Sequence, residues 1–136
     1  NIGNFYLSVG GKKGNPRGGH YHKELIENFF TISGQALWLF KDYREKSPTK
    51  GETFSLILGE GKQARMKTKE VNAVLLPEKM AQVLVPAGVY HAYYPLSKEA
   101  VRVVACGSHP YDPDDYVDID PKEIEEFKDV LVQIEE

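Results

Sequence analysis

The sequence predicts an all-β domain, and three observations carry that expectation. Short runs rich in Val, Ile, Leu, Phe and Tyr recur along most of the chain, Gly, Pro and Asn punctuate them, and helical periodicity is confined to the end. Many short strands between turn residues suggest a sandwich or a small barrel. Residues 4–9 form the first strand, stopped by a segment containing Gly10, Gly11, Gly14 and Pro16 that cannot stay helical. Residues 27–32 and 35–40 read as two strands hinged at Ser33-Gly34, a hairpin signal. Residues 53–58 follow, ended by Gly59 and Gly61, and then 71–76, 81–85, 91–94 and 100–106. A helix is expected over 121–134: Asp120 can cap it, Pro121 suits its first position and Glu123 completes a capping-box spacing. Ile124, Phe127, Leu131 and Ile134 share one of its faces, which should pack on the outside of a sheet. No linker or repeat interrupts residues 1–136, so a single domain is expected.

Composition narrows the function. Of 136 residues, 41% are apolar and 27% charged, which suits a soluble globular protein. No apolar run approaches the ~18 residues of a membrane span, and no signal peptide precedes the first strand. A lone cysteine, Cys106, excludes an internal disulfide and fits a cytoplasmic setting. The net charge of −3 divides unevenly: residues 1–70 carry 12 Lys+Arg against 7 Asp+Glu, and 71–136 carry 5 against 13. That balance argues against nucleic-acid binding, which needs a dominant basic field, but permits one small anionic ligand held by an arginine.

Three of the four histidines fall in two short motifs. In Gly14-Asn15-Pro16-Arg17-Gly18-Gly19-His20-Tyr21-His22, the two histidines share a strand face because residues two apart do. Glu27 has the wrong parity for that face, so a turn or bulge within 23–26 must intervene if it is to join them. In Pro86-Ala87-Gly88-Val89-Tyr90-His91 a tight turn starts a strand that can aim His91 inward. Tyr93, two residues on, shares that face. Asp112, Asp114 and Asp115 read as a solvated turn before the helix, since the glycine and distal glutamate of a calcium loop are missing.

Together the motifs resemble the cupin superfamily: G-x5-H-x-H-x4-E-x6-G from Gly14 to Gly34 and P-x-G-x2-H from Pro86 to His91. The second motif departs in its leading glycine (Met80) and trailing asparagine (Pro95). The resemblance implies a double-stranded β-helix, or jelly-roll barrel, with the C-terminal helix added. It also implies a metal site at His20, His22, Glu27 and His91. Three imidazoles and a carboxylate suit Zn, Fe, Mn, Ni or Co and leave positions open for water or substrate; some cupins keep the histidines and hold no metal.

Arg17-Gly18-Gly19-His20 further resembles a segment of the dTDP-4-dehydrorhamnose 3,5-epimerases, and Tyr111-Asp112-Pro113-Asp114-Asp115-Tyr116 is similar to the tail of the dTDP-sugar 3,4-ketoisomerases and of capsular-polysaccharide cupins. A tyrosine used by the 3,5-epimerases aligns with Val104, which points away from a literal rhamnose-pathway epimerase. The resemblance implies a nucleotide-sugar substrate, with Arg17 and His20 at its site, proton transfer by His20 and His22, and a homodimer; Tyr90 is a further expected substrate-binding residue, and Tyr93, on the face of His91, a further expected proton carrier. The reaction class is proton abstraction next to a carbonyl, for which histidine is suited by its near-neutral pKa. If His20 and His22 hold a metal they cannot also be free bases, and a tyrosine (Tyr93, Tyr90 or Tyr21) must move the proton. Rival readings are a cupin-type phosphosugar isomerase, a metal-dependent dioxygenase and a non-catalytic module binding metal or a small molecule.

Overall fold

The computed structural model describes residues 2–11, 13–59, 73–75 and 82–135. Its strands are β1 (Asn4–Gly10), β2 (Arg17–His22), β3 (Glu27–Ser33), β4 (Gln35–Asp42), β5 (Thr53–Gly59), β6 (Ala73–Leu75), β7 (Gln82–Val85), β8 (Val89–Pro95), β9 (Val101–Gly107) and β10 (Tyr116–Asp118). They form two sheets, ordered β1-β9-β3-β7 and β10-β2-β8-β4-β5-β6. Pairing is antiparallel except between β5 and β6. Successive strands alternate between the sheets from β1 to β4 and again from β6 to β10, as in a jelly roll, while β4, β5 and β6 lie side by side in one sheet. Of the expected strands, residues 71, 72, 76 and 81 lie outside the described residues, as do Gly61 and Met80.

One expectation is corrected here. Ser33-Gly34 is not the tip of a hairpin, because β3 and β4 belong to different sheets. Gly34 sits at φ 68°, where a side chain is strained, and a Cβ there would lie 2.9 Å from the Ala100 carbonyl oxygen. The glycine turns the chain from one sheet to the other.

The core has two layers, and β4 and β8 belong to both. Trp38, Phe40 and Tyr93 pack between the sheets with Phe29, Val101 and Val103. Leu37, Leu39, Tyr90 and Ala92 face the other way and are covered by the C-terminal segment through Ile124, Phe127, Val130, Leu131 and Ile134. The expected apolar stripe is therefore buried against the outside of a sheet, but the helix begins late. Asp120 caps a 3-10 turn at Pro121–Glu123, Ile124 is extended (φ −88°, ψ 111°), a second turn spans Glu125–Phe127, and α1 runs Lys128–Glu135. Two short turns let Ile124 and Phe127 both reach the sheet before the regular helix starts.

Candidate functional site

The glycines before His20 decide what faces the cavity. β2 and β8 pair Arg17 with Tyr93 and Gly18 with Ala92, then His20 with His91, so one extra residue is inserted between Gly18 and His20. Gly18 and Gly19 have φ 76° and 87°, and a Cβ on Gly18 would lie 2.9 Å from the His91 carbonyl oxygen. Without this bulge Arg17, three residues from His20, would point to the opposite face. With it, Arg17, His20, His91 and Tyr93 all line one cavity of about 430 Å³.

His22 continues the same face, and the chain then bends through residues 23–26 and enters the other sheet at Glu27. The bend repairs the parity of Glu27. One donor atom from each of His20, His22, Glu27 and His91 lies within 4.8 Å of the others. Glu27 Oε1 is 2.7 Å from His22 Nε2 and 3.5 Å from His91 Nε2. His91 Nδ1 lies 3.2 Å from the Val89 carbonyl oxygen, close enough to donate to it. His22, Glu27 and His91 are almost sealed from solvent, while His20 fronts the cavity with 17% of its side chain exposed.

The electrostatics follow from that packing. Burial, and then the neighbouring His91 and His22 rings, push His20 down to about 3 from 6.5, so it is neutral at physiological pH. Burial pushes Glu27 up, but the contacts from His22, His91 and Tyr6 outweigh it and hold the carboxyl well below its usual range. The sign for stability is set by His20: the unfolded chain takes up a proton below about 6.5 that the folded ring refuses until about 3. With a chelator present, stability is expected to be full above about pH 6.5 and to fall as pH drops, with a slope approaching about 1.4 kcal/mol per pH unit. Urea unfolding at pH 7.5, 6 and 5 checks this, and His20→Gln should flatten that part of the profile; an equally steep profile in the variant contradicts the assignment.

Three buried atoms of the cluster, His22 Nδ1 and Nε2 and Glu27 Oε1, lack a well-directed hydrogen bond, because the short approaches between them run off the N–H directions. Buried polar atoms are rarely left so. The donor set of three imidazoles and one carboxylate, with the unsatisfied His22 Nε2 and Glu27 Oε1 facing one another inside it, fits a divalent ion.

The remaining expected site residues separate by face. Tyr93 lines the cavity, its hydroxyl 2.8 Å from Ser8 Oγ. Arg17 is at the rim, donating through Nε and Nη2 to the Val9 carbonyl at 3.1 and 2.8 Å. Tyr90 is corrected: it lies on the other face of β8, fully buried beneath Phe127, and its hydroxyl donates to the Ile119 carbonyl at 2.9 Å. It does not line the cavity. Tyr21 likewise packs on the helix-covered side. On β9 the cavity wall is Val103, so Val104 faces away from it.

Sequence reading missed several cavity residues. Tyr6 of β1 donates to Glu27 Oε2 at 2.7 Å. Tyr116 sets its ring edge-on to His20 and His22, with centroids 4.7 and 4.4 Å away. The acidic segment before the helix is not simply solvated: Asp115 Oδ2 lies 3.2 Å from His22 Nδ1. Strand alternation in β1 would have put Tyr6 and Ser8 on one face; nothing in the sequence marks Asp115 from its neighbours.

No family model matches the sequence. The chain is 32% identical over 95 residues to the spore coat polysaccharide biosynthesis protein SpsL of Bacillus subtilis, covering 70% of this chain and 52% of that protein. Among solved structures it is similar to a dTDP sugar isomerase from Desulfovibrio desulfuricans G20 (TM-score 0.70, 18% identity, 88% of this chain and 65% of that one). It is also similar to a dTDP-4-dehydrorhamnose 3,5-epimerase from Bacillus anthracis (TM-score 0.69, 20% identity, 88% and 59%). The capsular polysaccharide assembling protein CapF of Staphylococcus aureus gives a TM-score of 0.64 at 17% identity, over 88% of this chain and 29% of that one. The chain has the cupin fold. It spans about half the length of the curated relative it matches, and less than two thirds of these structures. Among the described residues no helix is long and apolar enough to cross a membrane.

Proposed function

We propose that the protein is a sugar isomerase or epimerase that moves a proton at the carbon next to the carbonyl of a nucleotide-linked keto sugar, in polysaccharide or deoxysugar biosynthesis. The observation that carries this reading is the cavity lined by Arg17, Tyr93 and two members of the four-residue centre, His20 and His91. The names of the similar proteins, a dTDP sugar isomerase, a 3,5-epimerase solved with TDP bound and two polysaccharide proteins, support the substrate class. In this reading residues 1–136 act as one cupin domain in the cytoplasm.

Arg17 at the rim pairs with the diphosphate, and Phe29 and Trp38 line the apolar part of the cavity. His20, His22, Glu27 and His91 would hold a divalent ion (Zn, Fe, Mn, Ni or Co), and the chemistry it would supply is polarisation of a keto oxygen and stabilisation of charge there. Tyr93 holds and moves the proton. Burial raises its hydroxyl, while the Ser8 bond and the charge of Arg17 act in the opposite direction. Tyr6 is a poorer donor, because burial and then the adjacent Glu27 carboxylate both oppose loss of its proton. A metal-free reading, with His20 as base and Tyr93 as acid, is favoured by the position of His20 at the cavity front. Elemental analysis of protein purified without added metal separates the two.

Incubation in D₂O with dTDP-linked keto sugars tests the reaction itself. Deuterium at a carbon next to the carbonyl is the expected result, and a panel of such sugars with no exchange counts against the reading.

The partner in this reading is a second copy. The outer face of the β1-β9-β3-β7 sheet is apolar: Phe5 and Leu7 of β1 and Leu84 of β7 are 66%, 53% and 59% exposed, beside Val104, Cys106 and Phe30. Among the described residues β1 is also an unpaired edge. A two-fold axis across this face would cover both. Light scattering should give a dimer for the wild type and a monomer for Leu7→Arg; a monomeric wild type would remove this part of the reading.

A further inference from the structure

The bend that brings Glu27 to the histidines is held by the tail of the chain. Residues 23–26 belong to no strand, yet each of their backbone N–H groups has a partner. Lys23 N–H donates to the Asp115 carbonyl at 3.0 Å. Glu24 and Leu25 donate to the two oxygens of the Asp115 carboxylate at 2.8 and 3.2 Å, and Ile26 donates to Ser108 Oγ at 3.0 Å. Asp115 Oδ2 is also 3.2 Å from His22 Nδ1. One aspartate thus grips three consecutive residues of the bend while lying against the ring nitrogen that faces away from the centre.

We propose that Asp115 is a positioning residue of the His20–His22–Glu27–His91 centre, fixing the bend that delivers Glu27 and keeping a proton on His22 Nδ1. The metal-affinity part of this inference rests on the metal reading above; the His22 part does not. The physical reason is general. A carboxylate behind a ligating imidazole fixes its tautomer and ring orientation, and two carboxylate oxygens accepting from two successive N–H groups fix the backbone. An asparagine keeps the shape but replaces one acceptor with a donor, so it cannot accept from Glu24 and Leu25 through both atoms.

The test compares wild type, Asp115→Asn and Asp112→Asn. Asp112 caps the turn at Pro113–Asp115 through the Asp114 N–H, lies outside the centre, and is replaced there by an equally good cap. Zinc affinity by chelator competition should fall about 10–100-fold in Asp115→Asn and stay unchanged in Asp112→Asn. The absorption spectrum of bound Co²⁺ should change with it, since the ligand geometry changes. In metal-free protein, ¹⁵N shifts of the His22 ring should report a protonated Nδ1 in the wild type and its loss in Asp115→Asn. An unchanged His22 signature overturns the proposal whether or not metal binds, and so does an unchanged zinc affinity in a wild type that binds zinc. A wild type that binds neither zinc nor cobalt removes the metal reading alone, and the nitrogen shifts then decide the role of Asp115.

Discussion

Replacing His20 with alanine is expected to lower solvent-deuterium incorporation by about 10²–10⁴-fold, the usual worth of a group acting on a proton in the transition state. The expectation holds under both proposed mechanisms. His20 is the member of the centre that fronts the cavity, and it pairs directly across the strands with His91. As a ligand its loss opens the centre to the cavity; as a base its loss leaves His91, whose ring is almost sealed from solvent, as the imidazole on the cavity wall. The two cases part on a second measurement. Ligand loss lowers metal content along with exchange, whereas base loss leaves metal content unchanged and exchange partly rescued by added imidazole. Wild-type exchange in a folded His20→Ala protein would sink both mechanisms.

The largest effect on stability is expected from Phe127→Ala. Phe127 is 2% exposed and its ring lies 6.2 Å from that of Tyr90, in the layer that also holds Leu37, Leu39 and Ala92. Truncating a buried phenylalanine costs about 3–5 kcal/mol through lost transfer energy and the cavity left behind. For a chain of this size that corresponds to a fall in Tm of roughly 10–20 °C. A melting temperature within a few degrees of wild type would mean that the C-terminal segment is not part of the cooperative core.

The centre was legible in the sequence through the resemblance to the cupin motifs: two histidines two apart, a glutamate five residues on, and a late Pro-x-Gly-x-x-His turn. The need for a break before Glu27 was also readable from parity, but not what holds it, since Asp115 sits among acidic residues that look alike. Tyr90 and Tyr93 show the limit of alternation. It separates them to opposite faces, yet β8 is buried on both sides, so composition does not say which face is the cavity and which lies beneath the helix. Arg17 reached the cavity only through an extra residue between Gly18 and His20, and a glycine pair in a sequence does not announce a bulge. The pairing of β3 and β4 was misread because a glycine that reverses a hairpin and one that carries a chain between sheets leave the same local mark.

The clasp from Asp115 has a consequence for biosynthesis. The last histidine of the centre, His91, leaves the ribosome well before Asp115, so a nascent chain carries all four donors for a time with nothing to set the loop that precedes Glu27. Setting of that loop therefore waits for the segment around Asp115, and a product terminated near residue 110 would emerge with its donors present and their arrangement unset.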